Sequence, residues 1–172
     1  MRDRTTLELQ GIIYEGMVGG LLRDKRKDGV VIYNKRLKCN FLPHGETQVD
    51  IIFVTSKAVF VIEVKDWRYR IEGGYNDYEW LGIGKSLKTM TVFNPVYQNY
   101  GHVRLLKSAL LKYTDVPSII NLVVVPDGCR IKTDCEEVIH LSELCATLEK
   151  YEETCYTKYD VSDIVKMIRE VK

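Results

Sequence analysis

Asp50, Glu63 and Lys65 are the residues whose types and spacing offer chemistry. Glu63 and Lys65 stand two apart in the run Ala58-Val59-Phe60-Val61-Ile62-Glu63-Val64-Lys65. Strand residues two apart point to the same face, so an acid and an ammonium project side by side. Asp50 comes earlier, in the apolar run Gln48-Val49-Asp50-Ile51-Ile52-Phe53-Val54. Two carboxylates in one small volume suit a hard divalent cation, Mg2+ or Mn2+, which prefers oxygen ligands and keeps several waters. An ammonium beside them would stabilise a hydroxide or the charge developing on a phosphorane. Asp50 followed by Glu63-x-Lys65 is therefore a pattern suited to metal-assisted phosphodiester hydrolysis. Glu-x-Lys is also common on strands as a plain ion pair, but such a pair, partly buried, seldom repays its desolvation unless it is well hydrogen-bonded.

The elements that must position these groups are two strands and a tight connection. β-Branched and aromatic residues make both runs good strand formers, and Thr55 to Lys57 is the right length for a hairpin. Alternation sets Phe60, Ile62 and Val64 on one face and Val61, Glu63 and Lys65 on the other, with Asp50 at the neighbouring strand end. Upstream, apolar residues at steps of three and four predict a helix over about 5–22. Gly11, Gly16, Gly19 and Gly20 interrupt it. Each glycine costs roughly 1 kcal/mol against alanine in a helix interior, so early termination or close backbone packing is expected. Asp28-Gly29 signals a turn and Val30–Tyr33 a first strand.

Downstream, 66–91 reads as short strands or a loop-rich flap. Asn94-Pro95 opens a helix reaching about Tyr113, with proline suited to its first turn. Ile119–Val125 reads as a strand buried on both faces. Val138–His140 follows as a short strand, then two helices over Leu141–Lys150 and Val161–Val171, with Ser142 as cap candidate for the first and Asp160 or Ser162 for the second. The pattern is an α/β chain with a mixed central sheet, antiparallel hairpin strands plus a crossover strand, flanked by helices.

At 172 residues and 45% hydrophobic composition the chain is expected to form a single domain. Its charge is uneven: 20 basic against 14 acidic residues over 1–132, and 5 against 10 over 133–172. The last stretch thus reads as an acidic helical extension packed on a basic body. Clusters at Arg23, Lys25, Arg26 and Lys27, at Lys35, Arg36 and Lys38, and at Lys85 and Lys88 are either phosphate contacts or ordinary solvated charges. The five cysteines include no Cys-x-x-Cys pair, which suggests neither a disulfide framework nor a zinc site, and a cytoplasmic home is expected. No signal-like segment or membrane-length apolar run is visible. His44, His102 and His140 lack metal-ligand spacing, and Gly82-x-Gly84-Lys85-Ser86 lacks the first glycine of a phosphate loop.

Several short motifs add to the triplet: Gly45-Glu46-Thr47-Gln48-Val49-Asp50, Phe60 to Trp67, Ile71-Glu72-Gly73, Trp80, and Asn94-Pro95-Val96-Tyr97-Gln98-Asn99 with His102 beyond. Through these the sequence resembles the nuclease-related domain (NERD) family, a branch of the restriction-endonuclease-like PD-(D/E)xK superfamily. The resemblance runs from about Gly16 to Leu111, or to Val125 with the crossover strand. It implies a restriction-endonuclease-like core and a Mg2+-dependent nuclease (or one using Mn2+) acting on nucleic acid, DNA in the first place. Asp50 and Glu63 are then metal ligands, and Lys65 the catalytic base or charge stabiliser. Gln48 and Gln98 match family glutamines. Gln98 either orients water or phosphate, or ties the helix start to the sheet; Asn94 is expected as the helix cap, Trp67 and Trp80 as core or as rings that stack on bases, and His102, on the helical face of Gln98, at an amphipathic surface position or approaching the site.

The family pattern Gly-x-x-Gly-Glu near the first helix aligns here with Gly16-Met17-Val18-Gly19-Gly20, which puts glycine at the glutamate position. Glu15, five residues earlier, faces about 140° from position 20 on a regular helix, so it substitutes only if the helix is distorted. The alternative to a nuclease is therefore a catalytically weakened or inactive module of the same fold that binds nucleic acid or protein.

Overall fold

The computed structural model describes residues 4–40, 42–84, 88–113 and 116–171, with side chains from residue 8 onward. The first element is one continuous helix, α1 (Arg4–Lys25), running through all four glycines. Tyr14, Val18 and Leu22 recur every fourth residue and are its buried stripe. A side chain at Gly19 would meet the Tyr33 hydroxyl at 2.1 Å, so glycine there permits close packing on the sheet. Gly20 has open space around it.

Three antiparallel strands follow: β1 (Val30–Lys38), β2 (Glu46–Val54) and β3 (Ala58–Val64). β1 outlasts the expected 30–33 because its second half continues to pair with β2, as far as Lys38 opposite Glu46. The helix α2 (Pro95–Leu110) then carries the chain across to β7 (Ser118–Val125), parallel to β3, and β9 (Val138–His140) adds a further parallel strand. The main sheet has the order β1-β2-β3-β7-β9.

Both faces of this sheet are covered. On one, α1 and α3 (Leu144–Glu153) enclose Phe53, Phe60, Ile62 and Leu122; on the other, α2 and α4 (Val161–Glu170) enclose Val59, Val61, Leu106 and Ile168. β3 is buried along its whole length, as a central strand covered on both sides must be. Residues 133–172 therefore contribute a strand to the main sheet and a helix to each face.

The described residues of 66–93 supply three strands of a second sheet, short strands rather than a flap. β4 (Arg70–Glu72), β5 (Glu79–Ile83), β6 (Thr89–Phe93) and β8 (Arg130–Lys132) assemble in the order β6-β5-β4-β8. Trp80 is fully buried beneath it and donates its indole N–H to the Gly74 carbonyl, so it is core, as expected. Asn94 caps α2, accepting from the Val96 and Tyr97 amides, and Asp160 caps α4 from Ser162 and Asp163. Ser142 is not a cap: it lies inside a 3-10 turn, Leu141–Glu143, whose Glu143 carboxylate accepts the His140 amide. No helix among the described residues is long and apolar enough to cross a membrane, and all five cysteines are free.

Candidate active site

The site begins with a break in strand alternation. Along β2, Ile51 and Phe53 face α1 while Ile52 and Val54 face α2. Strict alternation would send Val49 to the α1 side, yet Val49 packs with the α2 cluster and Thr47 reaches His102 on α2. β1 reverses at the matching place: Val31 and Tyr33 pack towards α1, but Leu37 belongs to the α2 side. The residues facing each other at the reversal are Asn34 and Asp50, between the pairs Tyr33–Ile51 and Lys35–Val49. Asn34 has a φ of 51°, a left-handed conformation that asparagine tolerates better than most residues. The Gln48 amide donates to Asn34 Oδ1 at 2.9 Å and braces the turn-over.

Asp50 is thereby placed between the two faces. Pairing of β2 with β3 stops at Ile51–Ile62, and beyond it the Asp50 carboxylate, in place of a main-chain carbonyl, accepts the Val64 N–H at 2.9 Å. Asp50 lies mid-strand in β2, at the end of its β3 ladder.

Glu63 projects from β3 towards α2, as alternation predicts, and is 2% exposed. Its Oε1 receives the Lys65 ammonium at 2.6 Å and the Gln98 amide at 2.6 Å. Gln98 Oε1 in turn accepts from Lys65 at 3.1 Å, closing a triangle of three side chains. Gln98 reaches this point from the first turn of α2, which the Asn94 cap and Pro95 fix in place. Glu63 Oε2 faces the other way, buried without a hydrogen-bond partner, with His102 Nδ1 at 3.5 Å.

His102 is buried beside Glu63, the second of its two expected placements, and not at the surface. Its Nε2 contacts the Thr47 hydroxyl at 3.0 Å and its Nδ1 contacts Asn99 Oδ1 at 3.3 Å. Asn99 is itself locked, its amide donating to the carbonyls of Val61 and Leu122 and to Asn121 Oδ1. Thr47 and Asn99 both lie inside the quoted sequence motifs, so the signal for them was adjacency to Asp50 and Gln98.

Electrostatics binds Glu15 to the same cluster. Burial raises the Asp50 pKa to about 6, assisted by the charge of Glu63, while the Val64 amide and Lys65 pull it down. Burial likewise raises Glu63, against the lowering effect of Lys65, with Glu15 adding to the rise. Glu15 is raised by burial and then by Asp50. The helical carboxylate in electrostatic reach of Asp50 and Lys65 is Glu15, on a continuous α1. Burial and the nearby Lys65 push His102 down to about 4, so its imidazole is neutral at ordinary pH.

Lys65 pairs with Glu63 and also favours the charged forms of Asp50 and Glu15. Among the described residues, no three acidic, histidine or cysteine side chains converge into a ready-made metal cage. The donor set instead consists of Asp50 and Glu63, with Glu15 in electrostatic reach. Uncompensated negative charge and an orphaned buried carboxylate oxygen fit a cation with oxygen preference.

Three members of the basic clusters are engaged within the protein. Arg26 is buried against Asp28 and Glu152, Lys35 donates to the Arg169 and Val171 carbonyls, and Arg36 pairs with Glu46. Lys85 lies outside the described residues.

A sequence model for the family described as nuclease-related domain (NERD) matches residues 10–126, a span that holds Glu15, Asp50, Glu63, Lys65 and Gln98. No curated protein and no solved structure matches the chain.

Proposed function

The chain belongs to the nuclease-related domain family, and from that premise we propose that it is a metal-dependent nuclease hydrolysing phosphodiester bonds, with DNA as substrate. The observation that carries this reading is the closed Glu63–Lys65–Gln98 triangle with Asp50 and Glu15 in electrostatic reach. Asp50 and Glu63 would hold the ion, with Glu15 as a further carboxylate. Bound there, Mg2+ or Mn2+ supplies Lewis acidity towards a phosphoryl oxygen and lowers the pKa of a bound water.

The remaining roles belong to the chain. Lys65, held by Glu63 and Gln98, presents its ammonium to the attacking oxygen and stabilises charge as it develops on phosphorus. Gln98 fixes that ammonium and the Glu63 carboxylate in one geometry. Gln48 acts at one remove, through the Asn34 turn-over that aims Asp50. Neutral His102 backs Glu63 from the interior. The non-catalytic reading draws its force from Gly20, and Glu15, in electrostatic reach of Asp50, is the carboxylate that weighs against it.

A cleavage assay on labelled DNA with Mg2+ or Mn2+ tests this directly. Asp50→Ala and Lys65→Ala should each abolish cutting while far-UV circular dichroism stays native. Cutting that survives both substitutions would remove this site from the reaction. Mn2+ titration by calorimetry separates the two family readings, since a binding module that has lost its metal site would take up DNA without ion.

A further inference from the structure

Beyond the carboxylates, three arginines surround one opening. Arg68, Arg70 and Arg130 line a cavity of about 420 Å3 together with Gly84 and Gly128. The parallel register of β4 and β8 sets Arg70 directly opposite Arg130, and like charges facing each other across strands are destabilising. Arg68 and Arg70 each give their Nε to a carboxylate, Asp66 at 2.9 Å and Glu72 at 2.6 Å. Glu72 is shared with Lys132. Among the described residues no acid pairs with Arg130, so of the three arginines lining this opening two are paired with carboxylates and one is not. The terminal amino groups of planar guanidinium forks match the spacing of phosphate oxygens.

The place of the cavity gives it meaning. Arg68 follows Lys65 by three residues, a Cα separation of at most ~10 Å, or roughly three nucleotides at ~3.4 Å of rise per strand.

We infer that the Arg68–Arg70–Arg130 cavity is a phosphate subsite that grips the sugar–phosphate backbone of a DNA strand a few nucleotides from the bond beside Lys65. This rests on the nuclease reading above. The test is fluorescence anisotropy of a labelled DNA duplex, measured in EDTA over a range of salt concentrations so that nothing is cut. Arg130→Ala breaks no ion pair, and it should lower the slope of log affinity against log salt by about one; Arg70→Ala/Arg130→Ala should lower it by about two and weaken binding at least tenfold. Arg70→Lys/Arg130→Lys should recover the slope but only part of the affinity. If the wild type binds DNA and the alanine variants, shown folded by thermal melting, keep its affinity and slope, the subsite is overturned and the nuclease reading stands. If the wild type neither binds DNA nor cuts it with Mg2+ or Mn2+, the nuclease reading falls and the subsite with it.

Discussion

His102 Nδ1 stands 3.5 Å from Glu63 Oε2, the one carboxylate oxygen among the described residues that is buried without a hydrogen bond. Both neighbours of Nδ1, Glu63 Oε2 and Asn99 Oδ1, are acceptors, because the Asn99 amide nitrogen is committed to other acceptors. Nδ1 must therefore carry the proton, leaving Nε2 to accept from Thr47. His102→Ala should weaken Mn2+ affinity by about 10- to 100-fold, the range found when groups behind a ligand are removed. Calorimetry reads this, and an unchanged affinity with a lowered melting temperature would reduce His102 to a packing role.

Asp50 sets an acid limb. Its pKa of about 6 means that cleavage should rise as pH passes upward through about 6 and the carboxylate ionises. Cation and proton compete for the same oxygens, so a tenfold increase in Mn2+ should move that limb to lower pH. A limb indifferent to Mn2+ concentration would assign the titration to a group outside the metal site.

The same shift has a stability consequence of opposite sense. The folded protein holds the Asp50 proton more tightly than the unfolded chain, so this group favours folding at low pH and the benefit is lost as pH rises from about 4 through about 6. Without divalent ions, Asp50→Asn should melt higher than the wild type at about pH 8, by an amount on the order of 2 kcal/mol. The difference should vanish near pH 4. Thermal melts in EDTA at both pH values check the sign.

Gln98 joins acid to base, and the charge of its replacement should matter more than its length. Gln98→Ala leaves Lys65 held by Glu63 alone and should lower kcat by about 10- to 100-fold. Gln98→Glu places a further anion against Glu63, where the amide now sits at 2.6 Å, and should lower activity more than alanine does. Equal kcat for the two variants would mean that Gln98 only packs the helix start.

The buried Arg26–Glu152 pair ties the end of α1 to α3 with two contacts of 2.8 and 3.0 Å. Glu152→Ala leaves Arg26 buried with only Asp28, and should destabilise the fold by about 2–4 kcal/mol. In urea this appears as a lowered midpoint with unchanged m-value. A shift below about 0.5 kcal/mol, the size typical of surface substitutions, would show the pair to be dispensable.

Much of this site could be read from the chain because its rules are local. Period-two alternation places Glu63 and Lys65 together, and Asn94-Pro95 carries its own capping chemistry. Glu15 was harder for a physical reason. α1 has two apolar stripes, and its exposed one, Leu9, Ile12, Ile13 and Met17, is as hydrophobic as the buried Tyr14, Val18 and Leu22. Only contact with the sheet decides which stripe turns inward, and that decision carries Glu15 to the site. His102 was hidden because its burial depends on Thr47 and Glu63, both remote in sequence. The reversal at Asn34 escaped because alternation is a rule that one left-handed residue can break.

That reversal leaves Asp50 belonging to neither hydrophobic cluster, held by a hydrogen bond from the Val64 amide that asparagine can also accept. Chemistry and scaffold are therefore separable at a single codon. A lineage can silence the acid without disturbing the packing, and its descendants would persist as stable, folded proteins whose loss of catalysis leaves no trace in their shape.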